Sequence, residues 1–257
     1  MVPEIDISLT SISPRIGRLA PVVASLLAQE PAPARILIHL SRDPYLLDAG
    51  VAELPADLAV LVDGVRVQVV WVANSGPYRK ILPWIAAHGG TGRLVVTADD
   101  DTLYPQGWLA RLLAVRQGSG AVAAWTAHPI LRRGQGLAGY GRWFGAARPE
   151  GASLALLPIG KDGVLYAGTD FPAEVADLAT AQRLAPTADD LWLRWHMARA
   201  GVKVQVAGQG QVLAEVARGG PSLWRNFNRQ GGNDAVIAAL EAHFAATYGW
   251  TMAGALG

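Results

Sequence analysis

Apolar positions in the first half of the chain gather into short runs bounded by Pro, Gly and Asp: Ile5 to Leu9, Arg35 to Leu40, Val65 to Val72, Arg93 to Ala98 and Ala121 to Thr126. Runs of this length predict strands. Between the first two, Leu19, Val22, Val23, Leu26 and Leu27 fall on one face at helical spacing, after Pro14 and before Pro31, so a helix is predicted over Arg18 to Gln29. Further helices are predicted over Arg79 to His88, interrupted by Pro83, and over Gly107 to Arg116. Strands alternating with helices predict an α/β domain with a largely parallel sheet. From Ala127 to Gly160 the pattern dissolves into glycines interleaved with Tyr140, Trp143 and Phe144, which reads as a long irregular excursion or as a wall over a binding site. Regular structure resumes at Gly163 to Tyr166, Ala188 to Ala200, Val202 to Val206 and Asp234 to Tyr248. No repeat and no linker divides the chain, so residues 1–257 read as one domain.

Composition narrows this picture. The chain has 257 residues, 51% hydrophobic and 17% charged, with 22 basic against 21 acidic residues and a formal charge of +1. Near-neutrality argues against a nucleic-acid partner. With no cysteine, any metal is held by carboxylate or imidazole, and Cys nucleophiles are excluded. The longest stretch free of charged residues, Ala242 to Gly257, is 16 residues long and holds His243 and three glycines, so no transmembrane helix is expected. The start, Met1-Val2-Pro3-Glu4-Ile5-Asp6, lacks the pattern of a secretory leader. The default compartment is then cytoplasmic, with peripheral contact at the inner membrane surface left open. No basic amphipathic helix that would serve as an anchor is evident.

Three segments carry chemistry. Leu94 to Ala98 runs directly into Asp99, Asp100 and Asp101, and the carboxyl end of a parallel strand is where α/β proteins bind ligands. Adjacent acids are costly unless a cation shares the site, and a divalent ion with substrate phosphate would resolve that cost; one of the three can instead cap the next helix. In Asn74 to Pro83, Arg79 and Lys80 follow a Gly-Pro turn at a predicted helix start, where positive charge is unfavourable unless an anion is gathered. Lys80 is the better phosphate candidate; Arg79 reads more as a solvated surface residue. In Pro186 to Trp195, Asp189 and Asp190 fit helix capping behind Thr187, or a general base near an acceptor hydroxyl.

In this order the segments resemble glycosyltransferases of GT-A fold, particularly the family-2-like bacterial enzymes of surface polysaccharide assembly. The resembling elements are Ile7 to Arg15, Gly76 to Pro83, Thr97 to Pro105, Asp162 to Tyr166, Ala188 to Leu193, and Asn233-Asp234. The resemblance implies a mostly parallel sheet flanked by helices, with a nucleotide-sugar half (1–126) and an acceptor half (127–257). It implies inverting transfer to a saccharide acceptor, free or lipid-linked, with a divalent cofactor, Mn²⁺ or Mg²⁺. Carried over residue by residue, Asp101 is the leading metal ligand and Asp99 lies toward the donor or the metal. Asp100 can exchange roles with either, because three acids leave an Asp-x-Asp register ambiguous. Thr10, Arg15 and Lys80 match donor-side positions. Asp190 matches the catalytic base, with Asp189 in place of the commoner Glu beside it.

Tyr166 and Trp192, with Trp143 and Tyr140, are candidate aromatic faces for an acceptor sugar. Trp125 and Trp195 read as core, and the five histidines show no metal-ligand spacing. Only His39 lies at a strand end on the donor side. An Asp-x-Asp-x-Thr phosphatase is disfavoured because the fifth position from Asp99 is Leu103. A sugar-nucleotide pyrophosphorylase would open with a Gly-rich basic loop, absent from Thr10 to Pro14. A non-catalytic carbohydrate- or nucleotide-binding domain of the same fold is the remaining alternative. Donor sugar, acceptor, linkage and oligomeric state are not legible.

Overall fold

The structure, a computed structural model, describes residues 4–208, 210–216, 220–229 and 231–257. Seven strands form the central sheet: β1 (Ile5–Thr10), β2 (Arg35–Leu40), β3 (Val67–Trp71), β4 (Leu94–Ala98), β5 (Val122–Ala124), β6 (Val164–Ala167) and β7 (Val204–Val206). Their order is β7-β5-β6-β4-β1-β2-β3. All neighbours are parallel except at β6, which runs antiparallel to both β4 and β5. The mostly parallel sheet flanked by helices is the architecture implied by the resemblance to GT-A enzymes.

Alternation along each strand sorts side chains onto two faces. Ile5, Ile7 and Leu9 join Ile36, Ile38, Val96 and Ala98 in one apolar layer, closed by the helices Leu19–Leu27 and Trp108–Ser119. Leu37, Val95, Val164, Tyr166 and Val204 face the other layer, closed by Leu82–His88, Asp189–Arg199 and Gly232–Tyr248. Among the described residues, no helix is long and apolar enough to cross a membrane; the apolar surplus lies in these two layers.

Register brings the strand ends to one rim. Leu9 pairs with Ala98, and Thr10 with His39, so β1, β2 and β4 finish level. The chain winds from β1 through β2 to β3 and then returns to the far side of β1 as β4, and a crevice opens at such a reversal. Because β6 is antiparallel, Val164 pairs with Thr97 and Ala124 and the preceding turn, Gly160–Asp162, reaches the same rim.

The segment predicted as one helix over Arg79 to His88 divides into a 3-10 turn, Gly76–Lys80, and a helix, Leu82–His88. Pro83 sits in the first turn of that helix, where its missing N–H is harmless. The excursion after Ala127 is more ordered than its composition suggests. Ala127–Pro129 pairs with Leu156–Pro158, Arg132–Arg133 with Gly136–Leu137, and buried Trp143 donates to the Ala138 carbonyl.

Asp6 shows how the sheet tolerates a charge in its second layer. Fully buried, it accepts from Arg35 at 2.6 and 2.9 Å and from Trp84 Nε1 at 2.9 Å. Burial disfavours its charge, but these donors outweigh burial and hold the carboxyl below its usual range. Asp6→Asn should cost about 1.5–3 kcal/mol near neutrality, the scale of hydrogen bonds to a buried charge. Because the folded pKa is depressed, that contribution is present above the unfolded value and lost as pH falls below about 4. Urea melts of both proteins should therefore draw together as pH falls below the unfolded value; a difference that does not shrink at all on acidification contradicts this account.

Candidate active site

The rim is assembled from the segments that follow β1, β3 and β4. Thr10 donates to the His39 carbonyl at 2.7 Å and accepts from Arg79 Nε at 2.7 Å. Arg79 also donates to the Ser11 carbonyl at 2.6 Å and pairs with Asp48 at 2.7 Å. At 1% exposure it is a buried strut between these loops, not the solvated residue its position suggested. The Ser8 hydroxyl bonds the Lys80 carbonyl and lies 3.2 Å from His39 Nδ1, which ties the 3-10 turn to the sheet. His39 itself is buried beneath the crevice and lowered by burial to about 4, so it supports the floor as a neutral ring and does not line the donor side.

The three acids after β4 meet cations supplied by the chain. Lys80 pairs with Asp99, and Arg15 bridges Asp100 and Asp101, the latter at 2.6 Å. Burial opposes the charge on Asp99, yet Lys80 outweighs it and holds the carboxyl below its usual range. Burial lifts Asp100 to about 6 against the pull of Arg15, and burial with the Asp99 charge raises Asp101. Lys80 is held above the ordinary lysine range despite its burial, by Asp99 and then by Asp189 and Asp190. Asp100 turns to Ser11 and Arg15, whereas Asp99 and Asp101 face a common cavity. Asp100 in turn lines a smaller neighbouring cavity with Asp99, so the outer pair faces the larger cavity and the first two acids the smaller one.

On the other side of Lys80 begins the helix Asp189–Arg199. Thr187 does not cap it: its hydroxyl donates to Asn228 Oδ1 at 2.7 Å, and the cap position, Ala188, has no side-chain bond. Asp189 and Asp190 line the cavity instead. Asp190 accepts the Gly160 N–H at 3.1 Å, and a Cβ on Gly160 would stand 2.7 Å from its Oδ1, so glycine there gives the carboxylate its seat. Burial and the neighbouring Asp189 push Asp190 up to about 7; burial also raises Asp189, against the pull of Lys80.

The aromatic wall differs from the one expected. Tyr166 and Trp192 are each 1% exposed in the core, with Trp192 Nε1 bonded to the Val175 carbonyl, and neither lines the cavity. Trp143 is also core. Strand alternation turns Tyr166 into the second layer, and the helix turns Trp192 away from Asp189 and Asp190. Of the four candidates, Tyr140 alone lines the cavity, joined by His128, Phe144 and Trp224. Phe144 lies 4.4 Å from His128, 5.3 Å from Tyr140 and 5.6 Å from Trp224 between ring centroids.

Two connected chambers result. The first, about 110 Å³, lies among Thr10, Tyr45, Asp48, Asn74 and Arg79; the second, about 320 Å³, holds Asp101, Asp189, Asp190 and the aromatic wall. Arg15, Lys80 and Asp99 border both. Asp48 and Trp224 escaped the sequence reading, His128 has no site role there, and Phe144 enters it only within the excursion that reads as a wall over a binding site. Asp48 lies in a loop without apolar period, and single aromatics in irregular stretches do not announce their direction.

Asp99 and Asp101 offer the hard oxygen donors that suit Mg²⁺ or Mn²⁺. Among the described residues, no group of three or more His, Asp or Glu side chains makes a self-sufficient metal site. Both carboxylates are paired with cations of the chain, so a divalent ion would be held by them only if Lys80 and Arg15 gave way and a bound phosphate supplied the remaining ligands.

No family model matches the chain, and no curated protein matches it. Among solved structures it is similar to a 4-diphosphocytidyl-2C-methyl-D-erythritol synthase, at 14% identity over 93% of this chain and 98% of that one, with TM-score 0.45. It is similar to S. aureus TarS 1-349, at 11% identity over 95% and 72% of the two chains, with TM-score 0.46. It is also similar to glucosyl-3-phosphoglycerate synthase from Mycobacterium tuberculosis, solved with Mn²⁺, uridine diphosphate and phosphoglyceric acid, at 15% identity over 93% and 78%, with TM-score 0.47.

The electrostatics of the second chamber are testable without substrate. In carboxyl ¹³C NMR, assigned by loss of its signal in Asp190→Asn, Asp190 should titrate near 7. Asp189→Asn removes a neighbouring negative charge and should lower that value. An unchanged midpoint in this variant would refute the coupling.

Proposed function

We propose that the protein is a glycosyltransferase that moves a sugar from a nucleotide-sugar donor to a hydroxyl of a saccharide acceptor, free or lipid-linked, with inversion at the anomeric carbon. The observation that carries this reading is the junction of the two chambers: paired cations, Arg15 and Lys80, border both, and Asp190, seated on the Gly160 N–H, borders only the second. A nucleoside would occupy the first chamber, its diphosphate the junction, and its sugar the second.

The chain's own groups then divide the work. Arg15 and Lys80 exchange their carboxylate partners for diphosphate oxygens and meet the charge that grows there as the anomeric C–O bond breaks. Asp190 accepts the proton of the acceptor hydroxyl as it attacks the opposite face of the sugar. Burial and Asp189 keep its proton affinity high enough for that transfer, and the Gly160 N–H fixes its orientation. Thr10 acts by holding Arg79, and the rings of Tyr140, Phe144 and Trp224 offer faces to an acceptor sugar. A divalent ion held by Asp99 and Asp101, when bound, supplies further positive charge to the leaving diphosphate.

Asp190→Asn should reduce transfer by about 10²–10⁴-fold while leaving the donor dissociation constant nearly unchanged. In the wild type, kcat/KM should rise with pH through about 7 as Asp190 loses its proton. Near-normal turnover in the variant eliminates the base assignment, and a binding module of the same fold would have no turnover to lose. Asp101→Ala should abolish the Mn²⁺-dependent part of nucleoside-diphosphate affinity in calorimetry; an undiminished Mn²⁺ effect removes Asp101 from the metal site.

A further inference from the structure

A second concentration of charge, unused by the transfer step, lies in the excursion beside the aromatic wall. From Leu131 to Arg148 the chain carries Arg132, Arg133, Arg142 and Arg148 and no Asp or Glu. Arg132 and Arg133 form one strand of the hairpin with Gly136–Leu137, and Arg142 ends the 3-10 turn Tyr140–Arg142. The fold brings these three arginines, with Leu131 and Ala138, around one surface hollow of about 320 Å³.

Their surroundings differ from those of the arginines that pair within the chain. Arg15, Arg35, Arg79, Arg93, Arg116 and Arg199 each pair with a carboxylate. Among the described residues, no Asp or Glu lies within ion-pair distance of Arg132, Arg133 or Arg142; Arg132 donates to an oxygen of Gly257 and to the Gly134 carbonyl. All three arginines are exposed around the hollow, so their positive charge is open to an anion from solution. Guanidinium groups present forked donors that match phosphate oxygens.

We propose that this hollow is a phosphate-binding site, separate from the donor cleft. Its position suggests what carries the phosphate. Tyr140 lines the second chamber and Arg142 lines the hollow, and two residues span at most about 7 Å of chain. A ligand with a hydroxyl in the second chamber can thus place a phosphate in the hollow, which makes it a phosphate-bearing acceptor. That identification rests on the transferase reading; the anion site does not. The phosphate belongs either to a soluble ligand or to a headgroup in a bilayer.

Calorimetry with inorganic pyrophosphate at low ionic strength, on the whole chain, separates the two anion sites. The wild type should bind at both, Lys80→Ala should lose the cleft site, and Arg133→Gln/Arg142→Gln should lose the other, weakening its dissociation constant at least about tenfold. The lysine double variant, Arg133→Lys/Arg142→Lys, should keep the charge and bind with intermediate affinity. Pyrophosphate binding in Arg133→Gln/Arg142→Gln identical to wild type overturns the inference, whereas failure of the Lys80→Ala arm alone counts against the donor cleft. Cosedimentation with phosphatidylcholine vesicles, with and without phosphatidylglycerol, identifies the source. Arginine-dependent sedimentation confined to the anionic vesicles supports a bilayer headgroup; protein that stays in the supernatant while still binding pyrophosphate supports a soluble ligand.

Discussion

Three consecutive carboxylates at the end of a buried strand have to be neutralised, and the way this chain does so organises the crevice. Arg15 comes from the turn after β1 and Lys80 from the turn after β3, so loops on both sides of the switch point are drawn to the end of β4. The Lys80 turn is held by Ser8 through its backbone, and Arg79 beside it is locked to Thr10, Ser11 and Asp48. The same ion pairs make an anion site in waiting. Under the proposed function, an arriving diphosphate would compete with Asp99, Asp100 and Asp101 for these two cations, and the carboxylates it released would be open to a divalent ion.

The second chamber depends on that charge balance. Asp99, Asp101, Asp189 and Asp190 line it against Arg15, Lys80 and Lys161, with Lys161 paired to Glu215. Lys80 is the cation shared between the two acidic groups, and its attraction to Asp189 and Asp190 keeps their proton affinities from rising further. The antiparallel strand β6 contributes through its approach: only because it enters from the rim does Gly160 stand under Asp190. A single inserted strand of opposite sense therefore helps to seat Asp190, whose proton affinity burial and Asp189 raise.

Much of this was legible in the sequence. The short apolar runs predicted β1, β2 and β4, their alternation with helices predicted a largely parallel sheet, and the acids after β4 announced the site because their repulsion demands a partner. The nature of that partner was not legible: Arg15 lies 85 positions from Asp100, and its pairing is a consequence of register. Likewise the sense of β6 is invisible in a four-residue apolar strand. Arg79 looked like a surface residue because its burial is created by Asp48 and Ser11, from other loops. Tyr166 and Trp192 looked like sugar platforms because they lie within or beside the motif segments, yet strand and helix geometry turn both into the core. The rings that do line the chamber include Phe144 and Trp224, 43% and 39% exposed, and come from irregular segments where no periodicity assigns a direction.

The central claim is that the junction at Arg15, Lys80 and Asp99 receives the diphosphate of a nucleotide sugar. A thermal-shift panel of nucleotide sugars, run with Mn²⁺ and with a chelator, tests it most directly, since a ligand of the native state raises the melting temperature by mass action. The account predicts that at least one nucleotide sugar raises Tm, more with Mn²⁺ than with chelator, and that Lys80→Ala abolishes the shift. A panel that leaves Tm unmoved in both conditions, or an equal shift in Lys80→Ala, would contradict it.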